Sequence, residues 1–142
     1  MIAFDTNALV RMLIEDDKNQ ARIVQEVVTL AEQNSLQIMI LPEVLIETVW
    51  VLESIYRCNR EETSQFLELL VSTSTFTFPD TTVIRNAAKH YKKEGDFADL
   101  LIVGQARKWQ AKKFFSFDKK LQKIFPQYVV EKLNQDQRDI RN

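Results

Sequence analysis

At 142 residues the chain is long enough for one well-cored domain, and 45% hydrophobic against 27% charged residues is the balance of an ordinary globular protein. A single cysteine, Cys58, excludes an internal disulfide; with a single histidine, His90, it also excludes a Cys/His zinc site and argues against a Ser-His-Asp centre. Two glycines, Gly95 and Gly104, exclude a glycine-rich phosphate loop, so any catalysis must rest mainly on carboxylates.

Residues 2–4 read as a short buried strand that runs straight into Asp5. Helical spacing follows from about Ala8 to Glu15 and again over 20–33, separated by the polar stretch "EDDKNQ". "SLQIMIL" predicts a strand, and Pro42 suits the first turn of a helix reaching about Tyr56. Asn59 with Glu62 three residues on predicts a capped helix over "NREETSQFLELLVST". "STFTF" predicts a strand, Asp80 or Thr81 caps a helix to about Glu94, and Gly95 ends it. A helix over roughly 97–111, a strand at "KFFSF" and another at "QYVVE" complete a single domain over 1–133, followed by a polar tail at 134–142. Strands alternating with helices predict an α/β fold with a mainly parallel sheet, and ligands of such sheets bind beyond the carboxyl ends of the strands. Asp5 and Asp118 stand at two such ends.

The net charge of −1 hides an asymmetry. Residues 1–62 hold 11 acids and 5 bases, and residues 63–142 hold 9 acids and 14 bases. Arg107, Lys108, Lys112, Lys113, Lys119, Lys120 and Lys123 face a single acid, Asp118, between Gln105 and Phe125. Such a patch suits a polyanion, or is a solvated helix face. No apolar run approaches the roughly 20 residues that span a bilayer. The opening does not read as a signal peptide, because Asp5 interrupts it and no basic segment precedes it. The lone cysteine suits a reducing cytoplasm.

Each acid has two readings. Glu47 is the only charge in "VLIETVWVL", a segment apolar on nearly every side and so expected to be buried; it needs either a cation or an escape to solvent. Asp96 is a candidate N-cap for the helix that follows. Asp99 is in line with Ile102, Val103 and Ala106, which places it at the end of an apolar stripe. Asp118 and Asp5 each precede a helix and suit caps. Taken together, strand-end and helix-face carboxylates converging on one point would repel, and a hard divalent cation, Mg²⁺ or Mn²⁺, relieves that repulsion. His90 reads as a surface or boundary residue, and Trp50 and Trp109 as core or interface aromatics.

"IAFDTNALV", "PEVLIETVWVLE", "GDFADLLIVGQA" and "FFSFDKKL", in that order over residues 1 to about 125, resemble the PIN-domain ribonucleases, in particular the toxin half of bacterial VapBC toxin–antitoxin pairs. The resemblance implies a three-layer α/β/α sandwich around a central, mainly parallel sheet with the first strand in its middle. It implies an Mg²⁺- or Mn²⁺-dependent endoribonuclease with Asp5, Glu47, Asp99 and Asp118 as catalytic and metal-holding acids and Asp96 as a further ligand. Thr6, Asn7 and Ser116 match the polar residues beside that site; Ser116 stands where the family often has Thr or Asn. The implied partners are an RNA substrate, held by Arg107, Lys112, Lys113 and Lys119, a small cognate antitoxin, and a second copy in a homodimer. A haloacid-dehalogenase-like phosphatase is the weaker rival, since Asn7 stands where that chemistry wants a second acid. A catalytically silent module binding RNA or a protein is the other.

Overall fold

The computed structural model describes residues 1–133; the tail expected at 134–142 lies outside the described residues. In chain order the elements are β1 (Ile2–Ala3), α1 (Thr6–Leu13), α2 (Lys18–Gln33), β2 (Ile38–Met39), α3 (Pro42–Ser54), α4 (Arg60–Ser72), β3 (Phe76–Thr77), α5 (Thr81–Lys93), α6 (Phe97–Lys108), β4 (Phe114–Phe115), α7 (Lys119–Ile124) and β5 (Val129–Val130). This is the expected α/β fold, and each predicted element is present, the strands shorter than their apolar runs.

Local chemistry explains the boundaries. The capping box at α4 is complete: Glu62 N–H donates to Asn59 Oδ1 at 2.8 Å, and Asn59 N–H donates to Glu62 Oε1 at 2.9 Å. Pro42 opens α3, where its missing N–H costs nothing. Asp80 caps α5 through Val83 N–H. Gly95 adopts φ +97°, a conformation costly for any side chain, and turns the chain from α5 into α6. Gly104 lets α5 and α6 pack closely; a Cβ there would meet Val83 Cγ1 at 3.2 Å.

All described strand pairs are parallel. β1 pairs with β2 through Ile2↔Ile38 and Ala3↔Met39, and β2 pairs with β3 through Ile38↔Phe76 and Met39↔Thr77. β4 pairs separately with β5 through Phe114↔Val129 and Phe115↔Val130. Among the described residues β1 is therefore an edge of its three-stranded sheet, where the resemblance implies the middle strand. Its recorded ladder bonds run to the β2 side, Ile2 N–H to Gln37 O and Phe4 N–H to Met39 O.

The main core gathers Phe4, Leu9, Ile38, Ile40, Leu45, Phe76, Ile84 and Leu101 from both sheet and helices. A second cluster of Val103, Leu121, Tyr128 and Val129 packs under β4, α7 and β5. No helix among the described residues is long and apolar enough to cross a membrane.

Exposure decides between the readings of Glu47 and rules out the core for both tryptophans. Glu47 and Trp50 on α3 are exposed, Trp50 at 58%, so α3 is not buried all round. Its buried face is Leu45, Thr48, Val49 and Leu52, and Val44 and Ile46 are partly buried against the main core. Trp109, at 80% exposure, is no core residue either; it follows the end of α6, where the chain leaves the core. Of the stripe in line with Asp99, Val103 is buried but Ile102 is exposed.

Candidate active site

Three of the expected acids are fixed by helix starts. Asp5 caps α1, its Oδ1 accepting from Ala8 N–H at 2.8 Å. Asp118 caps α7, its Oδ1 accepting from Lys120 N–H at 2.9 Å and Leu121 N–H at 3.1 Å. Asp96 caps α6, its Oδ2 accepting from Asp99 N–H at 3.1 Å. A cap engages one oxygen and sets the orientation of the whole carboxylate, and a helix start favours negative charge there. Capping and a site role are thus compatible.

Asp96, Asp99 and Asp118 line one cavity of about 670 Å³, together with Glu53 and the cations Arg60, Lys120 and Lys123. Asp99 is half-buried. Burial pushes its carboxyl above the ordinary range, and the like charges of Asp96 and Asp118 push it further. Ser116 supports this site: its N–H donates to Val130 O at 2.9 Å, and its Oγ accepts from Asp118 N–H at 3.0 Å. Asp5 and Asn7 line a separate, open pocket of about 260 Å³ with Arg11 and Gln20. Thr6 is the first residue of α1. Glu47 lines neither pocket. A further groove of about 600 Å³ runs along α2, where Glu15 and Glu26 share the lining with Lys18 and Arg22; it holds no strand-end acid.

Among the described residues no three His, Cys, Asp or Glu side chains form a ready metal cluster. The chemistry of the cavity nonetheless fits a hard divalent cation. Its acidic side chains are all carboxylates, and burial, then the charges of Asp96 and Asp118, already raise the Asp99 carboxyl.

The basic patch is redistributed. Arg107 lies over the Tyr128 ring at 4.4 Å and the Phe125 ring at 5.1 Å. Lys108 pairs with Asp80 at 2.6 Å, Lys113 Nζ donates to Gln127 O at 2.7 Å, and Lys119 pairs with Glu131. Lys112 is exposed. The bases turned into the acid cavity are Lys120 and Lys123, which counting charges along the chain could not separate from their neighbours.

Sequence reading also passed over Arg60. Its Nη1 donates to Tyr91 O and Gly95 O, both at 2.8 Å, and its guanidinium lies 4.6 Å over the Tyr91 ring. Tyr91 is fully buried, and its hydroxyl donates to Glu53 Oε2 at 2.6 Å. α3, α4 and α5 therefore meet at the turn that presents Asp96. At the first position of a capped helix Arg60 looks like any surface base, so no local signal marked it.

A family model for the PIN domain matches residues 2–125. The chain is also similar to a VapC ribonuclease of Aquifex aeolicus (strain VF5), 29% identical over 125 residues, which is 87% of this chain and 92% of that protein. No solved structure matches. The matched span runs from the first strand through α7 and takes in every acid of the site, and the chain belongs to the PIN domain family.

Proposed function

We propose that this protein is an endoribonuclease that depends on Mg²⁺ or Mn²⁺ and acts in the cytoplasm as the toxin of a toxin–antitoxin pair. The observation that carries the reading is the cavity where Asp96, Asp99 and Asp118 converge, in a chain of the PIN family similar to a VapC ribonuclease. Asp99, Asp118 and Asp96 would hold the cation; Asp5, in its separate pocket, and Glu47, on the exposed face of α3, are further acids that the family resemblance supplies. Such a cation supplies Lewis acidity toward water and toward the scissile phosphate. The protein's own part is to aim carboxylates fixed by helix caps and to hold the phosphate. Lys120 and Lys123, in the same cavity, suit that second task. A small antitoxin and a second copy of the chain are the proposed protein partners.

The test is cleavage of a panel of structured RNAs with Mg²⁺, Mn²⁺ or EDTA, by wild type and by Asp5→Asn. Cutting that needs the metal and is lost in a normally folded Asp5→Asn is the expected result. A folded, metal-binding wild type that cuts nothing would favour the silent binding module.

The cavity cations give a separate prediction. Lys120→Glu with Lys123→Glu should weaken RNA binding roughly tenfold or more at low salt, and flatten the slope of log K against log salt by about 2. Lys113→Glu, whose ammonium is held by Gln127, should change that slope by less. Filter binding from low to moderate salt reads both; equal slopes in all three proteins would place the phosphate elsewhere.

A further inference from the structure

Phe117 immediately precedes Asp118 and is 74% exposed. Alternate residues of an extended segment share a face. Phe114 packs on the second core cluster, so Phe115 and Phe117 share the outward face, where Phe115 is 57% exposed. Their rings meet edge to face, centroids 5.2 Å apart and planes at 83°. The backbone beside Phe117 is pinned on one side by Ser116 N–H on Val130 O and on the other by Asp118 N–H on Ser116 Oγ.

A single exposed aromatic is ordinary and calls for no explanation. A paired and pinned aromatic, one residue from a cavity acid and three and six residues from the cavity cations Lys120 and Lys123, is a different object. Rings beside a cationic, backbone-tracking groove are how proteins hold single-stranded nucleic acid without reading its sequence. The charge of the surroundings favours this occupant over a protein partner, whose contact cores are depleted of charge. Of the four lysines in "AKKFFSFDKK", Lys119 pairs with Glu131 and Lys113 is held by Gln127 O, while Lys120 lines the cavity with Lys123.

The geometry points to Phe117, braced by Phe115, as a stacking subsite for one nucleobase of single-stranded RNA, one residue along the chain from the cavity acid Asp118. This rests on the ribonuclease reading and adds to it a residue that touches the base. Phe117 orients substrate and takes no part in bond breaking.

The test compares wild type with Phe117→Ala, Phe117→Leu and Phe117→Trp. Binding is read by fluorescence anisotropy with a short oligoadenylate and with an abasic oligomer of the same length, and steady-state cleavage is read on one RNA that wild type cuts. Wild type should prefer the base-bearing oligomer about tenfold. Phe117→Ala and Phe117→Leu should lose that preference and raise KM with kcat little changed, whereas Phe117→Trp should keep it. Unchanged preference and KM in Phe117→Ala, with wild-type cleavage intact, would overturn the subsite and leave the ribonuclease reading standing. A change only in self-association on sedimentation would overturn it in favour of a protein interface. Wild type that neither binds nor cuts RNA would overturn both.

Discussion

Asp99→Asn is expected to stabilise the fold at neutral pH while removing RNA cleavage, by at least about 100-fold if the carboxylate holds the cation. The stability half follows from the raised carboxyl. Burial, then Asp96 and Asp118, make its charged form harder to accept in the folded chain than in the unfolded one. The folded state therefore binds more protons than the unfolded state between the unfolded value of about 4 and the raised folded value. Stability falls as pH rises through that window, and the full penalty is present above it. Asparagine carries no charge and escapes the penalty. The backbone N–H of residue 99 still caps onto Asp96, so the helix start is kept. In EDTA, melting at pH 7 should show the variant higher by roughly 1–4 °C, and the two proteins should converge near pH 3, where the carboxyl is protonated in both states. Adding Mn²⁺ should then raise the wild-type melting point and not the variant's, by linkage to binding of the native state. A variant melting below wild type at pH 7 in EDTA would contradict the assigned environment of Asp99.

The same residue shows what a linear sequence can convey. Asp99 stands three residues after Asp96, which follows Gly95, so its place at a helix start beside a tight turn was readable from five consecutive letters. So was the complete capping box of Asn59 and Glu62. Caps, glycine turns and period-2 or period-3.6 runs are local, and local rules fix them. Burial depends on what packs against a face, which is long-range. "VLIETVWVL" looks apolar on all sides, yet Leu45, Val49 and Leu52 are buried, Val44 and Ile46 only partly so, and Glu47 with Trp50 looks outward. The bases show the same limit. Lys119 and Lys120 are neighbours, but one pairs with Glu131 and the other turns to the acid cavity. Charge is written in the sequence; its partner is set by the fold. The order of strands is long-range too, and it placed β1 at a sheet edge.

Arg60→Ala is expected to loosen the acid cavity from behind and to lower both stability and cation affinity. Arg60 gives two charge-assisted hydrogen bonds, one to the Tyr91 carbonyl in the last turn of α5 and one to the Gly95 carbonyl in the turn beyond it, and it stacks on Tyr91. Charge-assisted bonds contribute about 1.5–3 kcal/mol each where they are sheltered, and solvent at this partly exposed guanidinium reduces that. A loss of about 2 kcal/mol, or a fall of roughly 5–8 °C in Tm, is the expected cost. Tyr91 remains buried with its hydroxyl on Glu53, so α3 and α5 stay joined and the fold survives. What is released is the Gly95 carbonyl, and with it the turn that aims Asp96 and starts the helix of Asp99. A single ammonium cannot reproduce a planar guanidinium that bonds two carbonyls and lies on a ring, so Arg60→Lys should recover little. Mn²⁺ titration by calorimetry separates the two effects: at a temperature where both variants are folded, affinity should fall about tenfold in each. Wild-type affinity in a destabilised Arg60→Ala would reduce Arg60 to a helix cap with no bearing on the acids.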